Sequence, residues 1–119
     1  ILSKSNNLLL CLQNTLGVIE GDVGEFENRL KLHLNNQNSN LLISVLKKGS
    51  LQSKGLPFYK NTTEMVGVIL EESINNGVVL SDSGYRSKWF SKNDLKKMSI
   101  KLNRKIEISE FDDFYLCFL

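Results

Sequence analysis

The sequence predicts an α+β fold, an antiparallel sheet from about three hairpins with about three short helices packed to one side. Three observations carry that prediction. Apolar and polar residues alternate with period two in several short runs, clusters of turn-forming residues separate those runs, and segments with helical spacing and capping residues interrupt them. The chain has 119 residues, 41% hydrophobic and 24% charged. That is the composition of one ordinary globular domain, long enough to bury roughly two thirds of its unfolded surface.

The elements follow in chain order. In "SNNLLLCLQNTLG", Ser5 or Asn6 is a helix N-cap, apolar residues fall at 8, 9, 12 and 16, and Gly17 stands at a C-cap position. This predicts a short first helix, with a buried strand as its rival because "LLLCL" lacks a clear period. In "EFENRLKLHL", Phe26, Leu30, Leu32 and Leu34 share one parity and Glu27, Arg29, Lys31 and His33 the other, which predicts a strand. The turn cluster "NNQNSN" at 35–40 then joins it to a second strand in "LLISVLKKG", making a hairpin. Residues 49–62 form a loop around Pro57, which disfavours a helical conformation for the residue before it.

Apolar residues at 65, 66, 69, 70 and 74, with threonines before them and Asn76-Gly77 after, predict an amphipathic helix in "TTEMVGVILEESINNG", with a strand as rival over "MVGVIL". The segments "VVLS" and "YRSKWF" make a second hairpin around Gly84, which is free to take a positive φ. Ser91 and Asp94 approximate a capping box, so "KNDLKKMSIKLNRK" is a third helix with Leu95, Met98 and Leu102 inward. The alternation in "IEI" and the last apolar run form a third hairpin around Asp112-Asp113. No residue-level repeat is visible.

Several function classes are set aside. No run of about 18 apolar residues exists to span a bilayer, and "ILSKSNNLLLCL" lacks the pattern of a secretory leader. The chain starts at Ile1 and stops on "FYLCFL", so either end is a candidate cut and the domain a candidate fragment of a longer chain. Cys11 and Cys117 lie in apolar runs and are read as buried thiols of a cytoplasmic or otherwise reducing compartment. No spacing suits a metal, and the glycines of "GVIEGDVG" fit no nucleotide fingerprint, so no cofactor is expected. His33 is a lone imidazole read as a surface bystander. Asp94 and Lys96, with Glu71, Glu72 or Asp82, form a nuclease-like pattern that arises readily by chance.

The remaining signal is basic and aromatic. Net charge is only +2, yet residues 86–105 hold Arg86, Lys88, Lys92, Lys96, Lys97, Lys101, Arg104 and Lys105 against the single acid Asp94. Tyr85 and Trp89 share a parity in the same hairpin. Outward they would stack on bases, and inward they would be core. The leading expectation is a non-catalytic nucleic-acid-binding module, with Tyr85 or Trp89 stacking and Arg86, Lys88, Lys92, Lys96, Lys97, Lys101 and Arg104 on phosphates. The alternative is a protein-interaction module, such as an inhibitor, immunity protein or chaperone. It would bind an acidic partner through the same cations or through Phe58 and Tyr59 of "LPFYK". A domain of a larger enzyme is the third reading.

Overall fold

Strand β1 (Asn7–Cys11), helices α1 (Thr15–Val18) and α2 (Val23–Leu34) and strand β2 (Ser39–Leu46) open the computed structural model, which describes residues 7–18, 23–35 and 38–119. β1 and β2 run parallel, in register from Asn7 against Ser39 to Cys11 against Ile43. Parallel strands need a crossover, which α1 and α2 supply in place of the predicted first hairpin. Over Asn7–Cys11 the rival strand reading holds and helix begins only at Thr15, and the expected strand over "EFENRLKLHL" is a helix. Ser5 and Asn6, the predicted caps, lie outside the described residues. The helix forms because Phe26, Leu30 and Leu34 are four apart and satisfy a helical stripe as well as a strand parity. Leu30 and Leu34 are buried with Phe26 against them, whereas Leu32, which a strand would have turned inward, is 73% exposed.

β2 pairs on its other side with β6 (Phe114–Phe118), antiparallel, and β6 pairs with β5 (Glu107–Glu110) in the predicted hairpin. The sheet is mixed, in the order β1–β2–β6–β5. One face carries Leu41, Ile43 and Val45 of β2 with Tyr115 and Cys117 of β6. These meet Leu16 of α1, Leu30 and Leu34 of α2, and Leu95, Met98 and Leu102 of α5 (Lys92–Leu102), so three helices cover one side. The predicted capping box starts α5. The Asp94 N–H donates to Ser91 Oγ at 3.1 Å, and the Ser91 N–H donates to Asp94 Oδ2 at 2.8 Å.

A second cluster forms between β2 and α5 from Leu51, Tyr59, Val66, Ile69, Ile74, Val79 and Trp89. The expected loop over 49–62 is largely helical: a 3-10 turn (Lys48–Ser50), a wide π turn (Leu51–Gly55) and α3 (Leu56–Asn61). Pro57 lies in the first turn of α3, a position that favours proline's fixed φ. Leu56 is helical despite preceding it. The helix expected within 62–77 breaks after α4 (Thr63–Val66), because Gly67 turns to φ +87. A Cβ there would fall 2.6 Å from both Asp82 Oδ1 and Ser83 Oγ. The chain then bridges Ile69 to Ser81 and makes a 3-10 turn over Glu71–Asn76.

The predicted second hairpin is present, with β3 (Val78–Leu80) antiparallel to β4 (Arg86–Lys88) and Gly84 at φ +87. It forms its own two-stranded sheet. Immediately after it, Trp89 enters the second cluster and Phe90 the first. The α+β class is as the sequence predicts, and no described helix is long and apolar enough to cross a membrane.

Candidate binding surfaces

The hairpin turns its aromatic parity inward. Trp89 is 5% exposed, and its Nε1–H donates to the Tyr59 hydroxyl at 3.0 Å. Tyr59 is 3% exposed, and Tyr85, half-buried, tilts against it with ring centroids 5.8 Å apart. Burial, then hydrogen bonding to Tyr59, pushes the Tyr85 hydroxyl up to about 12. Trp89 is thus core and no stacking platform, and Tyr59 is no partner anchor. Phe58 does project from α3, 61% exposed.

The cations do not form one free patch. Lys88 Nζ lies 3.8 Å from Asp94 and 4.9 Å over the Phe90 ring, Lys92 is 2.6 Å from Glu110, and Lys101 is 3.0 Å from Glu27. Arg104 donates to the Ser39 carbonyl at 2.8 Å and to the Leu34 carbonyl, tying the end of α2 to β2. Arg86 and Lys88 share a cleft of 120 Å³ with Glu27 and Asp94. Glu110 of the C-terminal hairpin, distant in sequence, meets Lys92 because β5 ends beside the start of α5. Lys96 and Lys97 remain exposed on the outer side of α5.

Glu110 is the centre of this neutralisation, held by Lys47 at 2.8 Å and Lys92 at 2.6 Å. Hydrogen bonds to Lys47 and then Lys92 lower its carboxyl to about 2. A folded value below the unfolded one means stability present above the ordinary glutamate range and lost as pH falls toward about 2. Glu110→Gln is therefore expected to narrow the difference in melting temperature between neutrality and about pH 3. An unchanged difference would assign the acid limb to Asp113 and Asp94, whose carboxyls are also lowered.

The remaining titratable groups hold other posts. Glu71 pairs with Lys60 at 3.2 Å, Asp82 accepts the Val68 N–H at 2.9 Å, and Asp94 caps α5. Among the described residues no group of three or more His, Cys, Asp or Glu is arranged to hold a metal ion. His33 is exposed in the last turn of α2. Cys11 and Cys117 are free thiols, both opposite Ile43 from the two neighbouring strands. Burial raises both thiols, Cys117 to about 11, which leaves neither as a ready nucleophile.

No described helix covers the face of the sheet opposite α1, α2 and α5, although Leu46 at one end packs against the second cluster. Strand register aligns Leu8 and Leu10 of β1, Asn40, Leu42, Ser44 and Leu46 of β2, Phe118, Leu116 and Phe114 of β6, and Glu107 and Ser109 of β5 on that side. Leu8 is 56% and Leu10 59% exposed. Phe114 and Phe118 are also exposed, and Phe111 stacks on Phe114 with centroids 4.7 Å apart and planes 9° from parallel. At one end, beside Leu46 and Phe114, a cleft of 320 Å³ reaches the turn at Gln13 and Asn14. Sequence reasoning missed this surface. Its signal was present in "NLLLC" and "FYLCF", where both parities are apolar, as in strands covered on two faces.

No protein-family model matches this chain, and no curated protein matches it.

Proposed function

We propose that the chain is a non-catalytic protein-binding module whose contact surface is the open face of the four-stranded sheet. The observation that carries this reading is the exposure of Leu8, Leu10, Phe111, Phe114 and Phe118 side by side, with no described helix over them. With the half-covered Leu42 and Leu116 they make one apolar stretch, and a large contiguous apolar patch on a monomer marks an interaction site. Such a face favours a partner that removes it from water, at about 25 cal/mol per Å². The partner would be apolar at its centre rather than acidic.

Nucleic-acid binding is the second reading, supported by Lys96 and Lys97, which project from α5 exposed. It lacks an exposed Trp89 to stack on bases.

One experiment with two probes tests both. At sub-micromolar protein, anilinonaphthalene sulfonate should brighten several-fold on the native chain, and Leu10→Lys with Phe118→Lys should remove most of that signal at unchanged circular dichroism. A native chain that neither brightens the dye nor self-associates would refute the protein-binding reading. A labelled single-stranded oligonucleotide should show salt-sensitive anisotropy, abolished by Lys96→Glu with Lys97→Glu, only if the second reading holds.

A further inference from the structure

We infer that the cleft between β4 and helices α1, α2 and α5 binds a small organic monocarboxylate with a short apolar tail, its carboxylate seated on Arg86. The cleft lies among the helices, away from the bare sheet face, and its ligand is independent of the protein-binding reading above.

The first argument is the state of Arg86. Lys88 has Asp94 at 3.8 Å, Lys92 has Glu110 at 2.6 Å and Lys101 has Glu27 at 3.0 Å, whereas Arg86, half-buried, makes no hydrogen bond or ion pair among the described residues. It shares the cleft with two acids and pairs with neither. Glu27 is held by Lys101, and Asp94 Oδ2 accepts from the Ser91 N–H and from its hydroxyl, both at 2.8 Å. A guanidinium partly withdrawn from water keeps its fork of N–H donors, which matches a carboxylate in shape and charge.

The second is the charge balance. Arg86 and Lys88 line the cleft against Glu27 and Asp94, and Lys101 brings a third cation through its pair with Glu27, so one positive charge is left over. One negative charge on the ligand balances it. A second would face the two acids and be repelled.

The third is size and wall. The cleft measures 120 Å³, several times what one water needs and well below the roughly 300 Å³ at which drug-sized pockets begin. Its remaining walls are Leu16, Phe90 and Met98, all buried members of the first cluster. An aliphatic tail of roughly three to five carbons fits that space and leaves water on entering it.

Titration of the native chain with isovalerate to tens of millimolar, at constant ionic strength and followed by nuclear magnetic resonance, tests the inference. The Arg86 Nε–H and the Met98 methyl signals should shift saturably. The uncharged isovaleramide and the tailless acetate should bind several-fold more weakly, and succinate no more tightly than isovalerate. Arg86→Gln should weaken isovalerate at least tenfold with the rest of the spectrum unchanged, because Arg86 holds no described residue in place. Leu10→Lys, on the far face of the sheet, should leave the affinity as it is. No saturable shift in the native chain, equal binding of acid and amide, tighter binding of succinate, or binding retained in Arg86→Gln would each overturn the inference. Loss of binding in Leu10→Lys at an intact fold would move the ligand to the sheet face and overturn it as well.

Discussion

Trp89→Ala is expected to lower stability by about 3–5 kcal/mol, the range for removing a large buried aromatic side chain, and to do so in one transition. The ring fills the second cluster, where a Cβ on Gly55 would already lie within 2.6 Å of it. Truncation also strips the Tyr59 hydroxyl of its 3.0 Å donor inside that cluster. Urea unfolding followed by far-ultraviolet circular dichroism reads the loss. The transition should remain single because the chain around the ring is tied to both parts of the molecule. The Trp89 N–H donates to the Gly77 carbonyl at 2.7 Å, the Phe90 N–H to the Leu46 carbonyl at 2.7 Å, and the Phe90 carbonyl accepts from Lys48 at 2.8 Å. An early separate transition of the 51–89 segment in the variant would show that these ties do not couple the two clusters. Trp89→Phe keeps most of the ring and should cost less than half as much.

Asn14→Ala is expected to cost about 2–4 kcal/mol, combining unmade buried hydrogen bonds with left-handed strain. Asn14 is buried at φ +57, directly after Gln13 at φ +55. Its Nδ2 donates to the Lys88 carbonyl at 3.2 Å and to Ser87 Oγ at 3.3 Å, and its Oδ1 accepts the Leu46 N–H at 3.1 Å. One side chain thus joins the β1–α1 turn, the end of β2 and strand β4. Alanine leaves those backbone groups without their partner and fits the left-handed region poorly. Asn14→Gly separates the two causes, since glycine takes positive φ freely. The glycine variant should recover about 1 kcal/mol relative to alanine. Equal losses in the two variants, measured by urea unfolding, would show that φ carries no cost at this position.

The parts of the fold legible in sequence are those with local and redundant signals. Ser91 and Asp94 bracket their helix with mutual hydrogen bonds, Gly84 permits a turn that few other residues allow, and "IEI" alternates beside an obvious turn. Residues 26–34 misled because spacings of four satisfy both periods, and only Leu32 distinguishes them. At 49–62 the proline suggested a loop, although the first turn of a helix accepts proline without loss. The inward turn of Trp89 was undecidable from parity, which sorts residues onto two faces without saying which is covered. The basic cluster suffered from the same limit: Glu110 and Glu27 reach Lys92 and Lys101 only through tertiary packing. The open face was hidden for the complementary reason, since doubly apolar strands promise two covering layers and only one is contributed by the described residues.

The position of β6 bears on how quickly the chain finds its fold. This strand is inserted between β5 and β2, so its pairing of Leu42 with Phe118 joins segments that most of the chain separates. Until that long loop closes, β2 has a neighbour on one edge only, and its buried residues lack the Tyr115 and Cys117 side of their surroundings. The entropy of closure must be met before those contacts repay it, which slows refolding relative to a domain built from local contacts alone.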